Sequence, residues 1–152
     1  WSNLVIVEAH VTILAPPAEV WATITNIHDS ANFIKGIQRI VILEQPQTGL
    51  VGLKWQETRI LFGEPTTVQK SIIAAQENEF YTTRAEDAGF MFLTTNQIQA
   101  TEHSVTLTAI HETRPQGFVA RLKAIPLIFF KSAIRKAIVQ DLDDIKSEIE
   151  RS

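Results

Sequence analysis

Apolar residues recur with two different periods along this 152-residue chain, and the change of period divides it into elements. Between Leu4 and Leu14 the period is two. Val5, Val7, Ala9, Val11 and Ile13 share one face, and Ile6, Glu8, His10 and Thr12 share the other. Such alternation predicts a half-buried strand, because successive side chains of an extended backbone point to opposite sides. Pro16 and Pro17 stop the strand, since proline cannot donate to a ladder but suits the first turn of a helix. Val20, Trp21, Ile24 and Ile27 then fall at helical spacing and predict a helix from Ala18 to Ile27. Asp29 and Ser30 can cap a second short helix over Ala31–Lys35, with Gly36 as its stop.

From Ile37 to Thr113 the texture is that of strands. Six are predicted: Ile37–Glu44, Leu50–Phe62, Thr66–Ala75, Glu79–Ala85, Phe90–Ala100 and Ser104–Thr113. Their connections, such as Gln45–Gly49, Gly63–Pro65 and Gln76–Asn78, are too short for parallel crossovers and require antiparallel hairpins. The last stretch, Gly117 to Ser152, changes period again. Phe130, Ile134, Ile138, Leu142, Ile145 and Ile149 recur at steps of three or four, and no Gly or Pro interrupts residues Leu127 to Glu150. A helix of that length runs ~36 Å, against a radius of gyration of ~15 Å for a compact chain of this size. It is the element long enough to cover the sheet. The expected fold is α+β: a seven-stranded curved antiparallel sheet gripping a long C-terminal helix, with two short helices after strand one, in a single domain over residues 1–152. Side chains alone do not easily fill such a grip, so a cavity is expected between sheet and helix.

Composition narrows the chemistry. The chain is 45% hydrophobic and 20% charged with a net charge of −3, an ordinary globular profile. It has no cysteine, which excludes disulfides, thiolate metal sites, iron–sulfur clusters and cysteine nucleophiles. The slightly acidic balance argues against nucleic acid as a partner. His10, His28, His103 and His111 show no metal-ligand spacing, so neither a metal nor another cofactor is expected. No apolar run approaches the ~20 residues that span a bilayer, and the start does not resemble a signal peptide. A cytoplasmic location is the expectation.

Three segments carry a family resemblance. They are Ile13–Trp21 (ILAPPAEVW) entering the first helix, Val51–Arg59 (VGLKWQETR) on the third strand, and Gly117–Leu127 (GFVARLKAIPL) entering the last helix. With the element order, they resemble the helix-grip superfamily, which contains polyketide cyclase/dehydrase-like proteins, START-type lipid-binding domains and pollen-allergen-like proteins. The resemblance implies a hydrophobic cavity between sheet and helix that holds a lipid, isoprenoid, sterol, polyketide or plant-type aromatic ligand. Some members cyclise or dehydrate their ligand, and others only carry or sense it. Members with a Rieske cluster need cysteines, so that branch is excluded. None of the matching segments is itself catalytic.

The candidate site residues come from the faces of the strands. Over Leu53–Leu61, the set Leu53, Trp55, Glu57, Arg59, Leu61 is less polar than Lys54, Gln56, Thr58, Ile60, which predicts Trp55, Glu57 and Arg59 in the cavity wall. Glu57 and Arg59 share a face and can pair. They are either a polar anchor or acid/base pair for a ligand, or a mutually neutralising structural pair. His111 lies on the apolar face of the last strand, as a general base, a hydrogen-bond donor or a satisfied core histidine. Phe92 and Asn96 share a face with Thr94 and Ile98, although the opposite register would turn Met91 and Leu93 inward. Phe33, Phe130 and Ile134, at helical spacings, complete the expected ligand-binding set.

The last helix is also unevenly charged. Segment 118–136 carries Arg121, Lys123, Lys131, Arg135 and Lys136 and no acid, whereas Asp141, Asp143, Asp144, Glu148 and Glu150 follow. This order opposes the helix dipole. It marks the basic, Phe-rich entry either as a ligand portal with peripheral membrane contact or contact to a phosphorylated ligand, or as a solvated face, and the acidic half as structural. Three functions remain: a non-catalytic carrier or sensor of a small hydrophobic ligand, a cyclase/dehydratase using Glu57, Arg59 and His111, or an interaction module with an occluded cavity that works through a partner protein, which nothing in the sequence singles out. The absence of a convergent nucleophile–base pattern favours the first. No feature of the sequence sets an oligomeric state.

Overall fold

The computed structural model of the chain describes residues 5–61, 63–87, 89–116 and 127–151. Seven strands, β1 (Val5–Ile13), β2 (Ile37–Glu44), β3 (Lys54–Leu61), β4 (Glu64–Gln76), β5 (Phe80–Asp87), β6 (Phe90–Ala100) and β7 (Val105–Pro115), form one antiparallel sheet. Its order is β1-β7-β6-β5-β4-β3-β2. Strands β2 to β7 therefore follow one another as hairpins. Helix α1 (Pro17–Ile24) and a 3₁₀ helix (Ile27–Asn32) carry the chain from β1 at one edge to β2 at the other. Helix α2 (Leu127–Glu150) lies against the concave side, with Leu142, Ile145 and Ile149 buried and Ile138 packed on the core. This is the helix-grip arrangement expected from the periodicities.

The structure corrects several element boundaries, beginning with α1, which covers Pro17–Ile24 rather than Ala18–Ile27. The second short helix is a 3₁₀ turn over Ile27–Asn32 rather than a helix over 31–35. Ser30 is not its cap but its buried interior, where its hydroxyl donates to the Ile27 carbonyl at 2.8 Å. Strand β3 starts at Lys54 rather than Leu50, because Gly49 and Gly52 take positive φ (+69° and +100°) and bend residues 47–52 into a turn. That turn is closed by Leu53 N–H to Leu50 C=O and docked by Gly52 N–H to Ile72 C=O, both 3.0 Å. Strand β4 begins early, at Glu64, with Pro65 opposite Ile60. Proline is tolerated there because it sits at the beginning of the strand.

The acidic end of α2 ties the helix to the loops beneath it. The buried Asp144 carboxylate accepts from the Lys35 backbone N–H at 2.9 Å and from Gln140. Glu150 accepts from the Leu14 N–H at 2.8 Å, and Lys146 donates to the Thr12 carbonyl at 2.5 Å. Asp144→Ala leaves the Lys35 N–H without its acceptor and is expected to cost about 1–3 kcal/mol. Urea denaturation would read this as a lower midpoint at an unchanged slope.

Candidate functional site

The inward face of β3 carries Trp55, Glu57 and Arg59, as its alternation predicts. Trp55 and Glu57 are almost fully buried. A buried carboxylate survives only if its charge is met, and here three donors meet it. Trp55 Nε1 donates to Glu57 Oε1 at 3.2 Å, while Arg59 Nε and Lys70 Nζ donate to Oε2 at 2.6 and 2.8 Å. Lys70 arrives because the β3/β4 register sets it opposite Trp55, one pleat from Glu57. Arg59 then spans the groove to α2, where its two terminal nitrogens donate to both oxygens of Asp141 at 3.1 and 2.7 Å. Such a bidentate fork is the strongest form of guanidinium–carboxylate pairing. Gly36 makes room for it, since a Cβ there would lie 3.1 Å from the Arg59 guanidinium.

The result is a neutral quartet of two acids and two bases that links sheet to helix. Burial alone would push the Glu57 carboxyl up, but Lys70 and Arg59 outweigh it and hold the group down to about 2. Glu57 therefore stays ionised at any physiological pH.

Two cavities adjoin at this quartet. The inner one, about 110 Å³, is walled at its far end by Ile24, Ile27, Phe33, Ile34 and Trp55, with Tyr81 and Asn96 on its floor. The outer one, about 160 Å³, is walled by Val68, Ala85, Phe92, His111, Ile134 and Ala137. Glu57, Arg59, Lys70, Thr83, Thr94 and Asp141 line both, with Ile138. The short helices thus close the inner end, and α2 roofs both.

His111 stands directly opposite Thr94 on the β6/β7 ladder, and its Nδ1 lies 2.8 Å from the Thr94 hydroxyl. Its ring packs on Phe92, with centroids 5.8 Å apart. Burial, then Lys70 and Arg59, push it down to about 4, so the imidazole is neutral at pH 7. Among the described residues its buried Nε2 has no hydrogen-bond partner, nor does the Thr113 hydroxyl two positions on. In the inner cavity Tyr81 donates to the Ile24 carbonyl at 2.9 Å and meets Trp21 edge-on. Burial and the nearby Glu57 carboxylate raise its hydroxyl well above the ordinary tyrosine value.

Of the residues expected from sequence, Trp55, Phe33 and Asn96 lie in the inner cavity, Phe92, His111 and Ile134 in the outer one, and Glu57 and Arg59 at the waist. The β6 register is the one that turns Phe92, Thr94 and Asn96 inward. The side chain of Phe130 lies outside the described residues, as do residues 117–126 of the basic entry; Lys131, Arg135 and Lys136 are exposed. The acidic half of α2, expected to be structural, clasps Arg59 through Asp141, which also lines both cavities. Sequence reasoning also passed over Lys70, although Val68, Lys70 and Ile72 alternate inward with it. Among the described residues no group of three acidic or histidine side chains could hold a metal ion.

Comparison with known proteins agrees with this architecture. The sequence matches the family described as polyketide cyclase/dehydrase and lipid transport over residues 5–150. No curated protein matches it. Among solved structures, the Zhui aromatase/cyclase from Streptomyces sp. R1128 superposes with a TM-score of 0.83 at 18% identity, covering 97% of this chain and 94% of that one. A START superfamily protein from Mycobacterium smegmatis gives 0.81 at 12% identity, covering 96% and 97%. The di-domain ARO/CYC StfQ from the steffimycin biosynthetic pathway gives 0.80 at 10% identity, with 98% of this chain matched to 52% of that one. At such identities these likenesses establish the fold. Taken with the family match over nearly its whole length, they show that the chain is a helix-grip member of the polyketide cyclase/dehydrase and lipid transport family.

Proposed function

We propose that this protein binds and carries a small hydrophobic ligand between the sheet and α2. The observation that supports this best is a pair of cavities whose ends are mostly apolar and whose charges are already neutralised among themselves. Glu57 already accepts from three donors within the quartet, which does not leave it free to act as a base. An apolar cavity of about 150 Å³ accommodates a benzene-sized molecule, so the outer cavity, about 160 Å³, suits one ring and the inner one, about 110 Å³, a small ring or a short branched chain. Native mass spectrometry of the protein purified from its own organism is expected to show a bound species of low polarity, released on denaturation. The bare polypeptide mass in every preparation would count against carriage.

A second reading, a cyclase or dehydratase using Glu57, Arg59 and His111, is favoured by one feature. His111 is a neutral imidazole with an unpartnered nitrogen, beside two cations that can stabilise a developing oxyanion. On that reading His111→Gln removes turnover while the bound species persists. No described helix is long and apolar enough to cross a membrane.

A further inference from the structure

We infer that the cavity selects a bipartite ligand: two apolar ends, each about one ring in size, joined through an uncharged centre that accepts hydrogen bonds. This rests on the ligand-carrying reading and specifies the class of ligand.

The lining is apolar, polar and apolar in sequence along the groove. The inner end is formed mainly by Ile24, Ile27, Phe33, Ile34 and Trp55, with Tyr81 and Asn96 among its few polar groups, and the outer end mainly by Val68, Ala85, Phe92, Ile134 and Ala137, with Thr66 and His111 as its polar groups. Between them, the surfaces common to both cavities are Glu57, Arg59, Lys70, Thr83, Thr94 and Asp141, with Ile138 the one apolar side chain among them. A ligand confined to one cavity leaves the other end empty, whereas one spanning both must cross this waist. Crossing with a hydrocarbon strips the quartet of solvent without replacing its hydrogen bonds, which is costly.

The waist is rich in donors. Lys70 Nζ carries three N–H groups and spends one on Glu57, and the Arg59 fork has five and spends three on carboxylates. The carboxylates, in contrast, are engaged. An acceptor such as a carbonyl or ether oxygen therefore fits the centre. An ionised acid does not, because the quartet is already balanced and an added charge would be buried without a counter-ion. The two cavities, about 110 and 160 Å³, each admit about one ring, which sets the length of the ligand at two such groups and their link.

Methyl NMR with isoleucine labelling tests this on the full chain. Ile134 reports the outer cavity, Ile27 and Ile34 the inner one, and Ile138 the waist. Dibenzyl ketone is expected to shift all three groups together at one equivalent. It should bind about five- to tenfold tighter than 1,3-diphenylpropane, the hydrocarbon of the same shape, as expected for one well-made hydrogen bond. Toluene should bind in both cavities. Ala85→Leu, or Ala137→Leu from the helix side, should abolish the ketone's shifts while toluene still moves Ile27 and Ile34. If the ketone moves one end only, or binds no better than the hydrocarbon while toluene binds, the bipartite assignment is overturned and carriage of a smaller ligand stands. If neither toluene nor the ketone binds, both fall.

Discussion

Glu57→Gln is expected to destabilise the protein by about 3–5 kcal/mol, the cost of removing one partner from a buried ion pair. The substitution keeps the shape and a carbonyl acceptor for Trp55, so the loss comes from charge. Arg59 and Lys70 both donate to Glu57 Oε2, and neither is more than a quarter exposed. Without that carboxylate the quartet has two cations and one anion in the groove. Asp141 still holds Arg59, which leaves Lys70 as the uncompensated charge. Glu57→Gln combined with Lys70→Met restores neutrality and should recover much of the loss, so the two changes are strongly non-additive. Urea midpoints of the two single variants and the double variant measure this. A Glu57→Gln variant within about 0.5 kcal/mol of the parent, the range of ordinary surface changes, would mean that solvent already screens the quartet.

The second large effect is acid lability, and His111 controls its upper limb. In the folded chain His111 binds a proton only near pH 4, whereas unfolded histidine does so near 6.5. Below pH 6.5 the unfolded state therefore takes up a proton that the folded state refuses. The stabilisation is complete above 6.5 and is lost as pH falls to 4, by roughly 3 kcal/mol at ~1.4 kcal/mol per pH unit. Glu57 acts in the same direction at lower pH: its carboxyl is ionised down to about 2 when folded and to 4.5 when unfolded. Its stabilisation is present above 4.5 and is lost as pH falls through 2. Unfolding free energy should thus fall in two steps, and His111→Gln should flatten the step between pH 6.5 and 4 while sparing the lower one. An unchanged pH profile in that variant would show that the imidazole is not held neutral by its surroundings.

Much of the fold was legible because periodicity is a local property that burial preserves. The alternation Trp55, Glu57, Arg59 identified the inward face of β3, and the steps from Ile134 to Ile149 identified the buried stripe of α2. The turn at Gly49–Gly52 and the 3₁₀ helix were misread because they depend on positive φ and on one buried hydroxyl, which residue type alone does not set. In the site, the Glu57–Arg59 contact was legible from a spacing of two. The Arg59–Asp141 clasp was not, since its partners lie 82 positions apart and nothing in the run of acids around Asp141 singles it out. Lys70 carried a signal in its alternation with Val68 and Ile72, but a lysine on an inward face is assigned there only once a buried carboxylate is known to await it. The division of the cavity at a polar waist follows from those two missed partners.

The claim that most needs a direct test is that the groove between sheet and α2 holds two apolar cavities rather than packed side chains or ordered water. Crystals of the ligand-free protein under xenon pressure provide it, because xenon enters dry apolar cavities of about this volume. The expected result is one xenon against Phe92 and Ile134 and a second against Ile34 and Trp55, separated by the intact Glu57–Arg59–Asp141 chain. Density for neither, with the groove filled by side chains or hydrogen-bonded water, would contradict the account.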